Sequence, residues 1–355
     1  MYGFLRILLL FLGLLQGLPV PGFAAPQTED PPSATDEDFY APERDPDRPR
    51  SDIFMPFFSF LLPGLDQWWE GQRGSASAYS GVALGSLVYV NNVARSNGLI
   101  KDKGRDDEGD KNEDEDHKDE SENSDGLTSK DLVKRKLMLG SQVYQVAGGF
   151  SAWHAFRTAA YTRQGDGPGQ GQYEFLDYEE TPGQVLLAPF DFSYLKRSST
   201  LIPLAVGLGL AGLIMQAPHE GYQRDRFSAQ DALFTSTYSF NAGTHEEAVF
   251  RGWVMPVMME SWQSPFWANV GQSTLFALAH LGTTPVPLAQ LLLGYHLGEV
   301  TQKNHWTLGE AAFIHTWWDV IAFATMWQFR KVADKETAAA LPPPVLWLPP
   351  LDWKF

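Results

Sequence analysis

The sequence predicts an all-α protein, a polytopic helical membrane protein with a disordered acidic N-terminal region and an acidic loop. Three observations carry that prediction. Apolar segments near the length of a membrane crossing recur along the chain, at 77–94, 138–160 and 201–217, and the stretch 227–328 is apolar almost throughout. The charge is confined: the chain carries a formal net charge of -16, but residues 29–50 hold a net of -5 and residues 102–126 a net of -9. The slightly negative mean hydropathy of -0.23 therefore describes two polar inserts diluting a nearly neutral apolar body. Finally, Pro265, Pro285 and Pro287 stand at the starts of apolar segments, where proline is tolerated in a helix.

Each segment follows in order. Residues 1–24 read as a signal peptide: Arg6 supplies the positive end, Ile7 to Leu18 the apolar run, and Gly22-Phe23-Ala24 the small residues of a cleavage site. Residues 25–52, rich in proline and acids, cannot bury enough apolar surface to order themselves. An N-terminal membrane region follows over 53–160. It opens with an interfacial or re-entrant turn, broken by Pro56 and Pro63 and carrying Trp68-Trp69, which suit a headgroup boundary. Its first span, 77–94, is rich in small residues that allow close helix packing. The acidic loop 97–132 is of low complexity and reads as disordered. The second span, 138–160, follows the basic triplet Lys134-Arg135-Lys136. A polar loop covers 161–199, and the clearest span, 201–217, follows Lys196-Arg197. Beyond it the pattern predicts helices at 227–242, 243–261, 265–281, 286–303 and 307–328, then a tail, 329–355, rich in proline and tryptophan. No internal repeat is present.

Composition excludes several functions. With no cysteine there are no disulfides, thiolate metal sites or thiol nucleophile. An acidic chain without a basic face is not a nucleic-acid binder. No Gly-x-Ser-x-Gly elbow marks a nucleophilic serine.

Chemistry concentrates in three places within the apolar body. Glu246-Glu247-x-x-x-Arg251 puts Glu247 and Arg251 four apart on one helical face, an ion-pair spacing, while Glu246 is turned by about 100° and points elsewhere. His280 ends the apolar run Phe276-Ala-Leu-Ala, and His315 and Asp319 project together from one face. Taken singly, each is an ordinary structural feature. Together, in apolar helices, they mark a functional site, because charge is costly there. A carboxylate in such a setting is a usable general base, a neighbouring histidine can orient water, and a second histidine can stabilise an oxyanion. That combination suits water attack on a peptide carbonyl. The same side chains, Glu246, His280, His315 and Asp319, are also donors that a divalent metal such as zinc would accept.

Glu246-Glu247-x-x-x-Arg251-Gly252, Phe276-x-x-x-His280 and His315-x-x-x-Asp319, in this order, resemble the three motifs of the CPBP family. These are intramembrane proteases related to the type II CAAX prenyl endopeptidase and to bacterial bacteriocin-processing and immunity proteins. The resemblance covers about 200–328. It implies a membrane endopeptidase of glutamic or metallo type, integral to a bacterial inner membrane, with the lipid bilayer and a peptide or protein substrate as partners. It implies that Glu246 activates water with His280, that His315 and residue 319 line an oxyanion site, and that Arg251 partners the glutamates. Many relatives carry Asn where this chain has Asp319, a poorer donor, which suits orienting His315 or binding metal. Prenylated substrates are not implied. Two other classes fit the residues: a non-catalytic immunity or scaffold protein of the same fold, and an ion-handling membrane protein using the Glu/His cluster.

Overall fold

The computed structural model describes residues 51–100, 129–162, 173–216, 222–224, 227–281, 287–326 and 329–331. The expected signal peptide, nearly all of the acidic segment 25–52, most of the acidic loop and most of the C-terminal tail lie outside the described residues.

The chain is helical, as expected. Helices α1 (Phe54–Leu61) and α2 (Leu65–Trp69) form a short hairpin where the sequence predicts a re-entrant or interfacial turn. Gly64 makes the turn at φ +94°, a conformation that favours glycine. The hairpin is tied to the long helix α4 (Ser129–Thr162): Gly64 N–H donates to Ser151 at 2.8 Å, and the Tyr144 hydroxyl donates to the Leu61 carbonyl at 2.6 Å. Helix α3 (Arg73–Ser96) packs along α4 through Ala83, Val90, Tyr144 and Ala147. Of the small residues in the predicted span, Ala83, Ser86 and Ala94 are buried, whereas Gly81 and Gly85 face open space.

After α5 (Pro182–Leu187) and two 3-10 turns comes α6 (Ser198–Gln216). By length and composition α6 is the one described helix that qualifies as a membrane span. Helix α7 (Ala229–Val249) starts on a capping box in which Ser228 and Asp231 satisfy each other's backbone N–H. The sequence pattern placed a helix boundary between 242 and 243; the structure corrects this, because α7 runs straight through. Gly243 is there for closeness: a Cβ on it would lie 2.7 Å from the backbone nitrogen of Thr316. A π turn, Phe250–Val254, then joins α7 to α8 (Met255–Trp262). Helices α9 (Pro265–Ala279), α10 (Leu288–Lys303) and α11 (Gly309–Met326) follow close to their expected places. Among the described residues a three-residue antiparallel pair, Tyr222–Arg224 with Phe329–Lys331, departs from the helical fold.

Helices α4 and α7 run side by side in the same direction, fixed at one end by the buried Arg135–Asp231 pair (2.5 Å) and further along by contact between Gly149 and His245. Their shared core holds Phe150, Trp153, Phe156, Trp253, Met255 and Leu308. Helix α11 packs on α7 from the other side. Its first N–H groups have a remote cap. Glu180 accepts from Leu308 at 2.8 Å and from Gly309 at 2.9 Å. Burial pushes the Glu180 carboxyl up to about 7, against the pull of those two N–H groups and of the Arg157 charge.

Candidate active site

The site is built from α7, α9 and α11. Glu247 is fully buried on α7. Its Oε1 accepts from Arg251 Nη1 at 2.8 Å, the pairing that the four-residue spacing predicts. The Arg251 guanidinium is itself sealed from solvent, donates to the Gly294 carbonyl on α10 at 3.0 Å, and lies 4.5 Å from the centre of the Phe276 ring. Carboxylate, carbonyl and ring face share most of the charge of this sealed pair, while Arg251 Nε and Glu247 Oε2 are buried without a hydrogen bond among the described residues.

The same Glu247 Oε1 reaches across to α11, where His315 Nδ1 stands at 2.6 Å. A carboxylate accepts, so the Nδ1 proton belongs to His315. His280, at the C-terminal end of α9, is anchored in the same manner: its Nδ1 donates to the Phe276 carbonyl at 2.8 Å. Both histidines are therefore tied down through Nδ1 and turn Nε2 the same way, toward Glu246. The distances to Glu246 Oε2 are 3.9 Å from His280 and 3.7 Å from His315. Asp319, one turn after His315, approaches the same Nε2 at 3.8 Å. None of these three is a direct hydrogen bond. Among the described residues no hydrogen bond reaches the buried Glu246 Oε2.

All six residues singled out in the sequence thus lie in one place. Glu246, His280, His315 and Asp319 face a common space, while Glu247 and Arg251 stand behind it. Sequence reasoning missed two features. The Glu247–His315 bond spans 68 residues, beyond any local periodicity. Phe276, noted only as a motif position, is the floor of the site: its ring lies 4.6 Å from His280 and 5.5 Å from His315. His245, next to Glu246, turns away and caps the Asn241 carbonyl through Nδ1 at 2.5 Å.

The four metal-donor candidates do not make a metal site as arranged. Among the described residues no group of three or more His, Cys, Asp or Glu is placed to hold an ion.

Residues 228–321 match the family model of the Rce1-like type II CAAX prenyl endopeptidases. The match starts at the cap of α7 and ends within α11, so it takes in every site residue and leaves out α1 to α6. It bears out the family resemblance over that stretch. No curated protein and no solved structure matches the chain.

Proposed function

From that family match and the geometry around Glu246, we propose that this chain is an intramembrane endopeptidase that hydrolyses a peptide bond with a water activated by Glu246. The single observation that carries the reading is the convergence of two Nδ1-anchored histidines on one otherwise unbonded carboxylate. Polar groups 3.7–3.9 Å apart are separated as groups that share a water.

The steps balance with this chain's own residues. Glu246 takes a proton from water while His280 Nε2 accepts the other water hydrogen and holds it in line. The hydroxide adds to the carbonyl carbon, and the carbonyl oxygen becomes an oxyanion. His315, with a proton on Nε2, donates to that oxygen; the positive ring this requires is balanced by Glu246, Glu247 and Asp319 around it. The C–N bond breaks as Glu246 returns its proton to the leaving nitrogen, giving a carboxylic acid and an amine. Glu247 and Arg251 keep His315 in register.

The bilayer is the second part of the proposal. Helix α6 has a mean hydropathy of 1.8 and shows Leu201, Ile202, Val206, Leu208, Leu213 and Ile214 on its outside. At about 1.5 Å per residue, α3 and α4 are also long enough to cross ~30 Å of hydrocarbon, and α4 buries Ser141, Gln142, Ser151, His154 and Arg157 within the bundle. Phe54, Phe58, Leu62, Trp68 and Trp69 of the α1–α2 hairpin are exposed as an interfacial anchor would be. The test is Glu246→Gln in detergent or liposomes: the variant should fold and cleave nothing. Cleavage at the wild-type rate would remove Glu246 as the base.

A further inference from the structure

An oxyanion site works through donors aimed at the oxygen where charge develops. His315 supplies one. The natural second position is Asp319, one turn on, but an ionised carboxylate only accepts. Nor is Asp319 otherwise engaged: among the described residues it makes no hydrogen bond, and its contact with His315 is 3.8 Å. A carboxylate set beside a developing oxyanion repels it unless a neutral donor stands between.

Tyr238 is placed to be that donor. Helices α7 and α11 run antiparallel in one register: Glu247 meets His315, a Cβ on Gly243 would meet Thr316, and the Tyr238 ring meets Phe323 edge-on at 5.2 Å. Interpolating along that register puts Asp319 level with residue 241, about 4.5 Å along the axis from Tyr238 at 1.5 Å per residue. Tyr238 also stands about 80° round α7 from Glu246, on the same side of the helix. It lies within electrostatic range of both Glu246 and Asp319. Its ring is held by Phe234 at 5.7 Å and by Phe323, so the phenol direction is set by packing. The hydroxyl has no hydrogen-bond partner among the described residues and is not among the sealed buried atoms. A half-buried phenol held by its ring, with no bond at its tip among the described residues and two carboxylates within electrostatic range, is a donor awaiting an acceptor.

We propose that Tyr238 is a substrate-contacting residue of this site, its hydroxyl donating to the carbonyl oxygen of the bond being cleaved, opposite His315. This rests on the hydrolytic reading above and adds a residue to it. Asp319 then accepts from neither substrate nor water; it holds the charge of His315 and leaves donation to the phenol.

The experiment uses the full chain in detergent with a pool of synthetic peptides bearing apolar segments. Hydrolysis is read by mass spectrometry as heavy-oxygen uptake from labelled water into new carboxyl termini. Tyr238→Phe keeps the ring and its contacts, so it should cleave the same bonds with kcat lower by about 100-fold, the scale of one lost oxyanion donor, and with KM nearly unchanged. Adding Asp319→Asn to Tyr238→Phe restores a donor, since a carboxamide N–H can reach the same oxygen, and should recover at least about tenfold of that loss. Turnover by Tyr238→Phe within about threefold of wild type, beside an inert Glu246→Gln, overturns the assignment of Tyr238 alone. Wild-type hydrolysis that Glu246→Gln leaves unchanged, or no hydrolysis by the wild type, overturns the hydrolytic reading and this inference with it. If Tyr238→Phe proves unstable, the double variant decides. Recovered rate at unrecovered stability supports the donor role, and a rate no higher than the single variant's sinks it.

Discussion

Two glutamates near the packing of α11 are treated in opposite ways. Glu310, in its first turn, is saturated. Arg197 donates to it at 2.5 Å, Asn304 at 2.7 Å and Thr200 at 2.9 Å, and Ser199 adds a further bond. It staples the start of α6 and the end of α10 to α11. Glu246, facing the other half of the same helix, has its Oε2 buried with no such bond, and two histidines held just out of direct reach. A carboxylate whose lone pairs are all taken stabilises the fold and has nothing left for a substrate. A carboxylate kept short of partners costs stability and keeps the capacity to take a proton from water. The contrast distinguishes a saturated acid from an unsatisfied one more sharply than burial does.

That contrast can be broken from either side. The largest expected effect is on rate: Glu246→Gln should lower hydrolysis by about 10²–10⁴-fold, the usual share of a general base, with the thermal midpoint in detergent unchanged or raised. A lowered midpoint would make Glu246 a structural acid like Glu310. Next comes Glu247→Gln, which removes the counter-charge of a fully buried Arg251 and the anchor of His315. Breaking such a pair from one side costs about 3–5 kcal/mol, so denaturant unfolding should show a large loss together with lost activity. Glu310→Ala should do the converse of Glu246→Gln: stability falls by about 1–3 kcal/mol while turnover per folded molecule stays near wild type. Equal damage to both quantities would mean that the staple and the site are one unit.

The smallest expected effect is a pH slope. Glu180 caps α11 from a distance and its carboxyl, ordinarily at 4.5, is raised by burial to about 7 in the folded chain. Between those values the folded state binds the extra proton, so stability should be greatest below about 4.5 and fall as pH rises toward about 7. Glu180→Gln should flatten the thermal midpoint across that window. An unchanged slope would assign it to another group.

Much of the site was legible in the residues. Glu247 and Arg251 pair because they are four apart on a helix, and that geometry also frees Glu246. His280 and His315 were identifiable because an imidazole in an apolar helix needs a reason to be there. The boundary expected at Gly243 failed for a physical reason. A glycine inside a pattern reads as a break when only backbone entropy is weighed, but here it admits the α11 backbone and is worth more as contact than it costs as a weak helix former.

By itself the sequence determined most of the helices, the two charged inserts, the Glu247–Arg251 pair and the identity of the candidate site residues. All of these follow from the helical repeat and the cost of charge in apolar surroundings, and both act locally. Only the tertiary structure decided that Glu247 holds His315 from the opposite helix, that Phe276 floors the site, that Glu180 caps α11, and that the Tyr238 ring meets Phe323 of α11. Those contacts depend on the register of helix against helix. That register is set by how closely Gly243 lets α7 and α11 approach, and no periodicity within either segment encodes it.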